Sequence, residues 1–146
     1  MPYASPIQTN FPSGELSPRL RGRVDIDRYF NGAATRETDL LDGLLGVEPL
    51  LIGDLIMIEV LQGFRADRDY RRAKTALDRL IFEPMLGRDM ALESAQNYRK
   101  LRASGVTVRR TIDVVIATFC LHGSHRLLHS DRDFTLMQDH LGLRIV

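Results

Sequence analysis

Short apolar segments alternate with helical segments through most of this chain, and this order restricts the fold more than any other feature. Strand-like segments fall at residues 48–52, 81–85, 126–129 and 143–146. The segments between them have apolar residues at helical spacing. Strands that alternate with helices form parallel sheets with helices on both faces. We therefore expect an α/β chain that forms a three-layer α/β/α domain with a short, mostly parallel sheet.

The helical segments also predict local details. Asp54 follows the strand candidate at 48–52 and is expected to be the N-cap of the next helix. Thr111 is expected to cap the helix that begins near Asp113. The helix at residues 89–104 is expected to turn the following side chains inward: Ala91, Leu92, Ala95, Tyr98 and Leu101.

The N-terminal segment has a different texture from the remainder of the chain. Residues 1–22 hold four of the six prolines and show no clear hydrophobic period. A chain of 146 residues fits one domain with a single core. We expect residues 1–23 to be a disordered or altered leader and residues 24–146 to form the domain.

Composition limits the compartment and the partners. A net charge of +1 argues against an overall electrostatic attraction to nucleic acid. The single cysteine, Cys120, is expected to be a reduced, buried thiol. No run of 18 apolar residues indicates a membrane span, and the first residues lack the apolar segment of a signal peptide. These features favour a cytoplasmic protein.

Two apolar helical segments each contain an isolated acid in their interior. Glu59 lies in Asp54–Gly63, and Asp113 lies in Thr111–Cys120. An ionised carboxylate among aliphatic side chains is costly unless a charge, a metal or hydrogen-bond donors compensate it. Asp131 follows the strand candidate at 126–129, and the carboxyl ends of strands are where open α/β sheets bind ligands. Together these acids suggest a shared divalent cation.

Each acid also has a structural interpretation. Glu59 taken alone fits an ion pair with a buried arginine equally well. Asp113 fits an ordinary acid in the first turn of a helix, and Asp131 and Asp133 fit turn and capping residues. The shared site is favoured because all four acids fit it jointly.

Basic residues and histidines leave further alternatives open. The basic residues of segment 65–74 are expected to form a solvated helix face, with RNA contact as the alternative. Arg109 and Arg110 are placed to meet phosphate, and a salt bridge to the preceding helix fits them as well. A zinc site is disfavoured, because no cysteine stands at a suitable spacing from the three histidines at positions 122, 125 and 129.

Several of these motifs resemble the PIN-domain ribonucleases of the VapC toxin type. The resemblance lies in Ile58–Gly63 around Glu59, in Thr111–Ala117 around Asp113, and in Leu127–Phe134 around Asp131. Tyr29–Gly32 and Ala95–Thr111 match the same family, so the resemblance covers residues 24–146.

The resemblance implies a small nuclease that holds Mg²⁺ or Mn²⁺ with clustered acids and cuts RNA. It also implies a homodimer that is silenced by a cognate antitoxin protein. By position, Glu59, Asp113 and Asp131 correspond to the second, third and fourth acids of the family. Asp133 corresponds to an acid that assists them, and Ser130 is a candidate to orient them.

The chain departs from the family at the first acid. Asp25 is the nearest match because it follows Val24, but no apolar run precedes it. Residues 15–23 are not expected to supply a central strand, which needs apolar side chains on both faces. We therefore predict a Mg²⁺-dependent endoribonuclease, the toxin of a type II toxin–antitoxin pair. The alternative is a degenerate PIN domain that binds antitoxin or RNA without cutting.

Overall fold

The computed structural model describes residues 19–21, 39–40, 43–45, 47, 49–129 and 131–146. The predicted site residues Asp25 and Ser130, and the Tyr29–Gly32 segment, lie outside the described residues. The strands are β1 (Arg19–Arg21), β2 (Leu50–Gly53), β3 (Ile81–Glu83), β4 (Arg126–Leu128) and β5 (Arg144–Ile145). The helices are α1 (Asp54–Leu61), α2 (Asp67–Leu77), α3 (Arg88–Ala103), α4 (Thr111–His122) and α5 (Arg132–Leu141). Residues 39, 40, 43 and 44 are also helical.

The five strands form one sheet in the order β3-β2-β1-β4-β5, and each neighbouring pair is parallel. Successive strands extend the sheet in one direction from β1 to β3, and the chain then returns to the other side of β1 for β4. Such a reversal of strand order leaves a crevice at the carboxyl ends of the strands. The predicted α/β fold with a short, parallel sheet is confirmed.

The central strand differs from the prediction. Residues 15–23 were not expected to supply it, yet β1 lies between β2 and β4, with Arg19 opposite Leu50 and Arg126. Parallel pairing uses backbone N–H and C=O groups, which every residue of this strand carries whatever its side chain. The predicted lack of a first strand is therefore wrong, and Arg19–Arg21 belongs to the sheet although it falls within the predicted leader.

α4 is apolar on nearly every side because it is buried in the core. Eight consecutive residues of α4, from Asp113 to Cys120, are buried, and β2 is buried along its whole length. Cys120 is buried as predicted, and burial raises the pKa of its thiol, so it packs as a neutral apolar group. Among the described residues, no helix is long and apolar enough to cross a membrane.

The junction of β2 and α1 fixes the start of the helix that carries Glu59. Gly53, rather than the predicted Asp54, is the N-cap, and a side chain at position 53 would overlap Met85. Asp54 instead accepts hydrogen bonds on Oδ1 from the backbone N–H groups of Leu55 and Met85, at 2.9 and 3.0 Å. Its carboxylate therefore ties the end of β2 to the segment after β3.

Candidate functional site

One arginine joins three of the predicted carboxylates. Arg110 Nη1 donates to Glu59 Oε1 at 3.1 Å. Its Nη2 and Nε donate to Asp113 Oδ1 and Oδ2 at 3.2 and 3.3 Å. Arg110 Nη2 also lies 3.9 Å from Asp131 Oδ2. The planar guanidinium matches two carboxylate oxygens at once, as Asp113 shows. Glu59, Asp113 and Asp131 therefore meet in one place.

The topology explains why acids far apart in the chain converge. Glu59 is on α1, which starts directly after β2, and Asp131 follows β4 and is the N-cap of α5. β2 and β4 are the two neighbours of β1. Asp113 lies in the first turn of α4. The acids thus gather beside the central strand, where the order of the strands reverses.

A second arginine joins the remaining acid to the group. Arg109 Nη2 donates to Asp131 Oδ1 at 3.3 Å, and Arg109 Nε donates to Asp133 Oδ2 at 3.4 Å. These contacts, Asp133 before the others, raise the pKa of Arg109. Asp131 Oδ1 also accepts from the backbone N–H of Asp133 at 3.0 Å, as an N-cap does. Asp131 is therefore both a capping residue and a member of the cluster.

The two arginines differ in exposure. The Arg109 side chain is 69% exposed, whereas that of Arg110 is 35% exposed. Asp113 and Asp133 are almost fully buried beneath them. Arg109 therefore covers the solvent side of the cluster, while Arg110 reaches into it.

The cluster has an excess of negative charge. Burial raises the pKa of Asp113, Arg110 opposes this, and Glu59 and Asp131 add to it by repulsion. Glu59 Oε2 is buried and accepts no hydrogen bond from any described residue. Four carboxylates and two guanidinium groups give the cluster a formal charge of −2 when all are ionised.

The chemistry of these side chains suits a hard divalent cation. Oxygen donors are what Mg²⁺ and Mn²⁺ select, and the unpartnered Glu59 Oε2 is one such donor. In their arrangement, however, the acids surround Arg110. Within the described part of the chain, no three acidic, histidine or cysteine side chains form a group ready to hold a metal ion. The carboxylate oxygens suit the ion, but in this structure they contact Arg110.

The other predicted features have different outcomes. Thr111 is the exposed first residue of α4; Arg110 is the N-cap and its side chain makes no capping bond, so the predicted cap is wrong. His122 contacts Glu93 at 3.0 Å on the surface, and the rings of His125 and His129 pack against Phe119 and Phe134.

Sequence reasoning placed Arg109 and Arg110 near phosphate or the preceding helix and missed their role as partners of the acids. The i, i+3 spacing of Arg110 and Asp113 was the available signal.

No protein-family model matches the sequence. Among solved structures, the chain is similar to VapBC2 from Rickettsia felis bound to a DNA fragment from its promoter, with a TM-score of 0.70 and 14% identity. This match covers 88% of this chain and 96% of that chain. It is also similar to VapBC-1 from nontypeable Haemophilus influenzae, with a TM-score of 0.64, 16% identity, and coverage of 88% and 96%. DNA-bound VapBC from Salmonella typhimurium matches with a TM-score of 0.65, 14% identity, and coverage of 90% and 98%.

These similarities extend over most of both chains and agree with the fold expected from the VapC resemblance. At 14 to 16% identity they establish the fold. What the fold does in this chain has to be argued from the cluster itself.

Proposed function

We propose that this protein is the toxin of a toxin–antitoxin pair and cuts RNA with the help of Mg²⁺ or Mn²⁺. The observation that carries the proposal is the convergence of Glu59, Asp113 and Asp131 on one point beside the central strand. Stabilisation of the fold alone does not require acids from three separate elements to meet. The similar structures are VapBC complexes, which supports an antitoxin protein as the partner.

The residues have distinct roles in this proposal. Glu59, Asp113 and Asp131 would hold the ion, with Asp25 as the predicted fourth ligand. The bound ion would polarise the scissile phosphate and lower the pKa of a bound water. The packing of α4 holds Asp113 in place, since the residues after it are buried up to Cys120.

Asp133 supports this site from its buried side, and Arg109 supports it from its exposed side. The backbone N–H of Asp133 orients the Asp131 carboxylate. Arg109 is the more exposed guanidinium and is suited to a phosphate oxygen of the RNA. Homodimer formation remains a proposal that follows from the resemblance, and a cytoplasmic location remains a proposal that follows from the composition.

A second candidate is a PIN domain that binds antitoxin or RNA without cutting. The pairing of Arg110 with the acids favours it, because an arginine can satisfy these carboxylates without a metal. The two candidates share the fold and the partners and differ in cleavage.

Cleavage of RNA with and without Mg²⁺ separates the two candidates. Asp113→Asn is the test variant, and Asp78→Asn, which removes an exposed carboxylate paired only with Lys74 among described residues, is the control. We expect cleavage to require Mg²⁺ and to fall in Asp113→Asn by more than the roughly 10–100-fold that is typical for residues supporting a metal ligand. Cleavage without metal, or cleavage unaffected by Asp113→Asn, would contradict the enzyme. Antitoxin binding without any cleavage would support the second candidate.

A further inference from the structure

We propose that Arg110 is a built-in competitor of the divalent cation. In the metal-free protein it partly compensates the negative charge of Glu59, Asp113 and Asp131, and it leaves their oxygens when the ion binds. This inference rests on the proposed metal-dependent function and adds to it a reason why the acid cluster is stable without metal.

The contacts of Arg110 place it in direct competition with the ion. Its Nε, Nη1 and Nη2 groups all donate to the cluster, and they use both oxygens of Asp113 and one of Glu59. These are oxygens that the proposed function assigns to the ion. A guanidinium and a dication repel each other, so the two compete for these oxygens. Binding of the ion therefore opposes these hydrogen bonds.

The structure also gives Arg110 a way out of the cluster. It precedes α4 in extended backbone, with φ −135° and ψ 127°, and 35% of its side chain is exposed. Its hydrogen bonds to Glu59 and Asp113 are 3.1 to 3.3 Å long, longer than the roughly 2.7–2.9 Å that is usual for charge-assisted bonds. The side chain can therefore swing towards solvent without a change in the helix.

Competition has a functional consequence. The protein can fold with the charge of its acids partly compensated, so it does not depend on metal for its structure. The ion must in return displace a cation, which lowers its apparent affinity. Arg110 thus sets the concentration of divalent cation at which the site fills.

Arg109 provides a matched control for the test. It carries the same charge and lies beside the same cluster, but it contacts Asp131 and Asp133 and is mostly exposed. A general effect of positive charge would appear in Arg109→Ala and Arg110→Ala alike. Occupation of the shared oxygens would appear in Arg110→Ala alone.

The experiment measures Mn²⁺ binding to the full chain by calorimetry. We expect Arg110→Ala to bind Mn²⁺ about tenfold more tightly than the unmodified protein, and Arg109→Ala to change the affinity much less. Guanidinium chloride at non-denaturing concentrations, compared with NaCl at the same ionic strength, should then weaken Mn²⁺ binding in Arg110→Ala. It should have no such effect in the other two proteins, where the oxygens already face an arginine.

Each result decides the matter. Tighter binding that guanidinium reverses supports the competition. Unchanged or weaker binding in Arg110→Ala overturns it, as does tighter binding that guanidinium leaves intact. Absence of Mn²⁺ binding in all three proteins overturns the metal-dependent function together with this inference, whereas the other failures leave that function standing.

A second measurement avoids variants that fail to fold. In the unmodified protein, the Nε–H resonance of Arg110 is followed by NMR as Mg²⁺ is added. We expect it to move towards the position of a solvent-exposed arginine as the ion binds. A resonance that stays in place at saturating Mg²⁺ overturns the competition.

Discussion

The chain has two arginine-rich regions that differ in what faces them. Arg109 and Arg110 meet four carboxylates drawn from α1, α4 and the start of α5. By contrast, Arg68 and Arg71 on the outer face of α2, and Arg79 in the turn after it, contact no carboxylate among the described residues. In sequence both regions are simply basic. The difference arises because topology brings buried acids to one region, whereas none of the described acids pairs with the arginines of the other.

The contribution of an arginine to stability therefore depends on its partner. A guanidinium in water is well hydrated, and its removal changes little. A guanidinium that faces buried acids compensates charges that would otherwise be costly. Replacing arginines in the two regions should therefore give very different results.

The largest expected effect is on stability without metal. Arg110→Met should lower the free energy of unfolding by about 2 kcal/mol, less than the roughly 3–5 kcal/mol for breaking a fully buried pair, because a third of this side chain is exposed. The matched change on α2, Arg71→Met, should stay within about 0.5 kcal/mol. Urea denaturation at pH 7 with a chelator measures both. Equal losses in the two variants would remove the distinction between the regions.

The second prediction concerns pH and the buried partner of Arg110. The raised pKa of Asp113 means that the folded protein favours its protonated form. The stability from this group is therefore complete below the unfolded pKa of about 3.9 and is lost as pH rises through the folded pKa. Asp113→Asn cannot ionise and escapes this loss. Its free energy of unfolding, relative to the unmodified protein, should rise with pH from about pH 4 and then level off. A difference that falls with pH would contradict the assigned direction.

The third prediction sharpens the account of repulsion within the cluster. Glu59 raises the pKa of Asp113. Glu59→Gln removes this negative charge and keeps an oxygen that can accept from Arg110, so the pKa of Asp113 should move down. NMR titration of the Asp113 carboxyl carbon measures the change. An upward movement would mean that Glu59 acts mainly by holding Arg110 in place.

The strands β2 to β5 and four acids of the cluster could be predicted from the sequence, and the physical reasons are clear. β2 through β5 are short apolar runs between helical segments, and they lie within a few residues of their predicted positions. Glu59 and Asp113 were conspicuous because an isolated acid in an apolar helix needs compensation. The partner of Glu59 could not be predicted, since Arg110 is 51 residues from Glu59 in the chain.

Other features could not be predicted, because the pattern of side chains carries no information on backbone pairing or on polar contacts in the core. β1 has an arginine at each end and contains no apolar run that would predict a strand. On α3, Leu92 was predicted to face inward and is 54% exposed, while Asn97 is buried. Asn97 Nδ2 donates to Thr118 Oγ1 on α4 at 3.0 Å, a buried polar contact between two helices. Hydrophobic periodicity cannot identify a polar pair of this kind.

The smallest expected effect is on the surface formed by the outer face of α2 and the turn after it. Replacing Arg68, Arg71 and Arg79 together by Gln should leave the free energy of unfolding within about 1 kcal/mol, because surface changes of this kind cost little each. The same variant tests whether this face contacts RNA. If it is a solvated face, the slope of log affinity against log salt stays unchanged; each lost phosphate contact on single-stranded RNA would lower it by about 0.7. We expect an unchanged slope, since no acid among the described residues pairs with these arginines. A smaller slope would make α2 a second functional arginine region and would remove the contrast with Arg109 and Arg110.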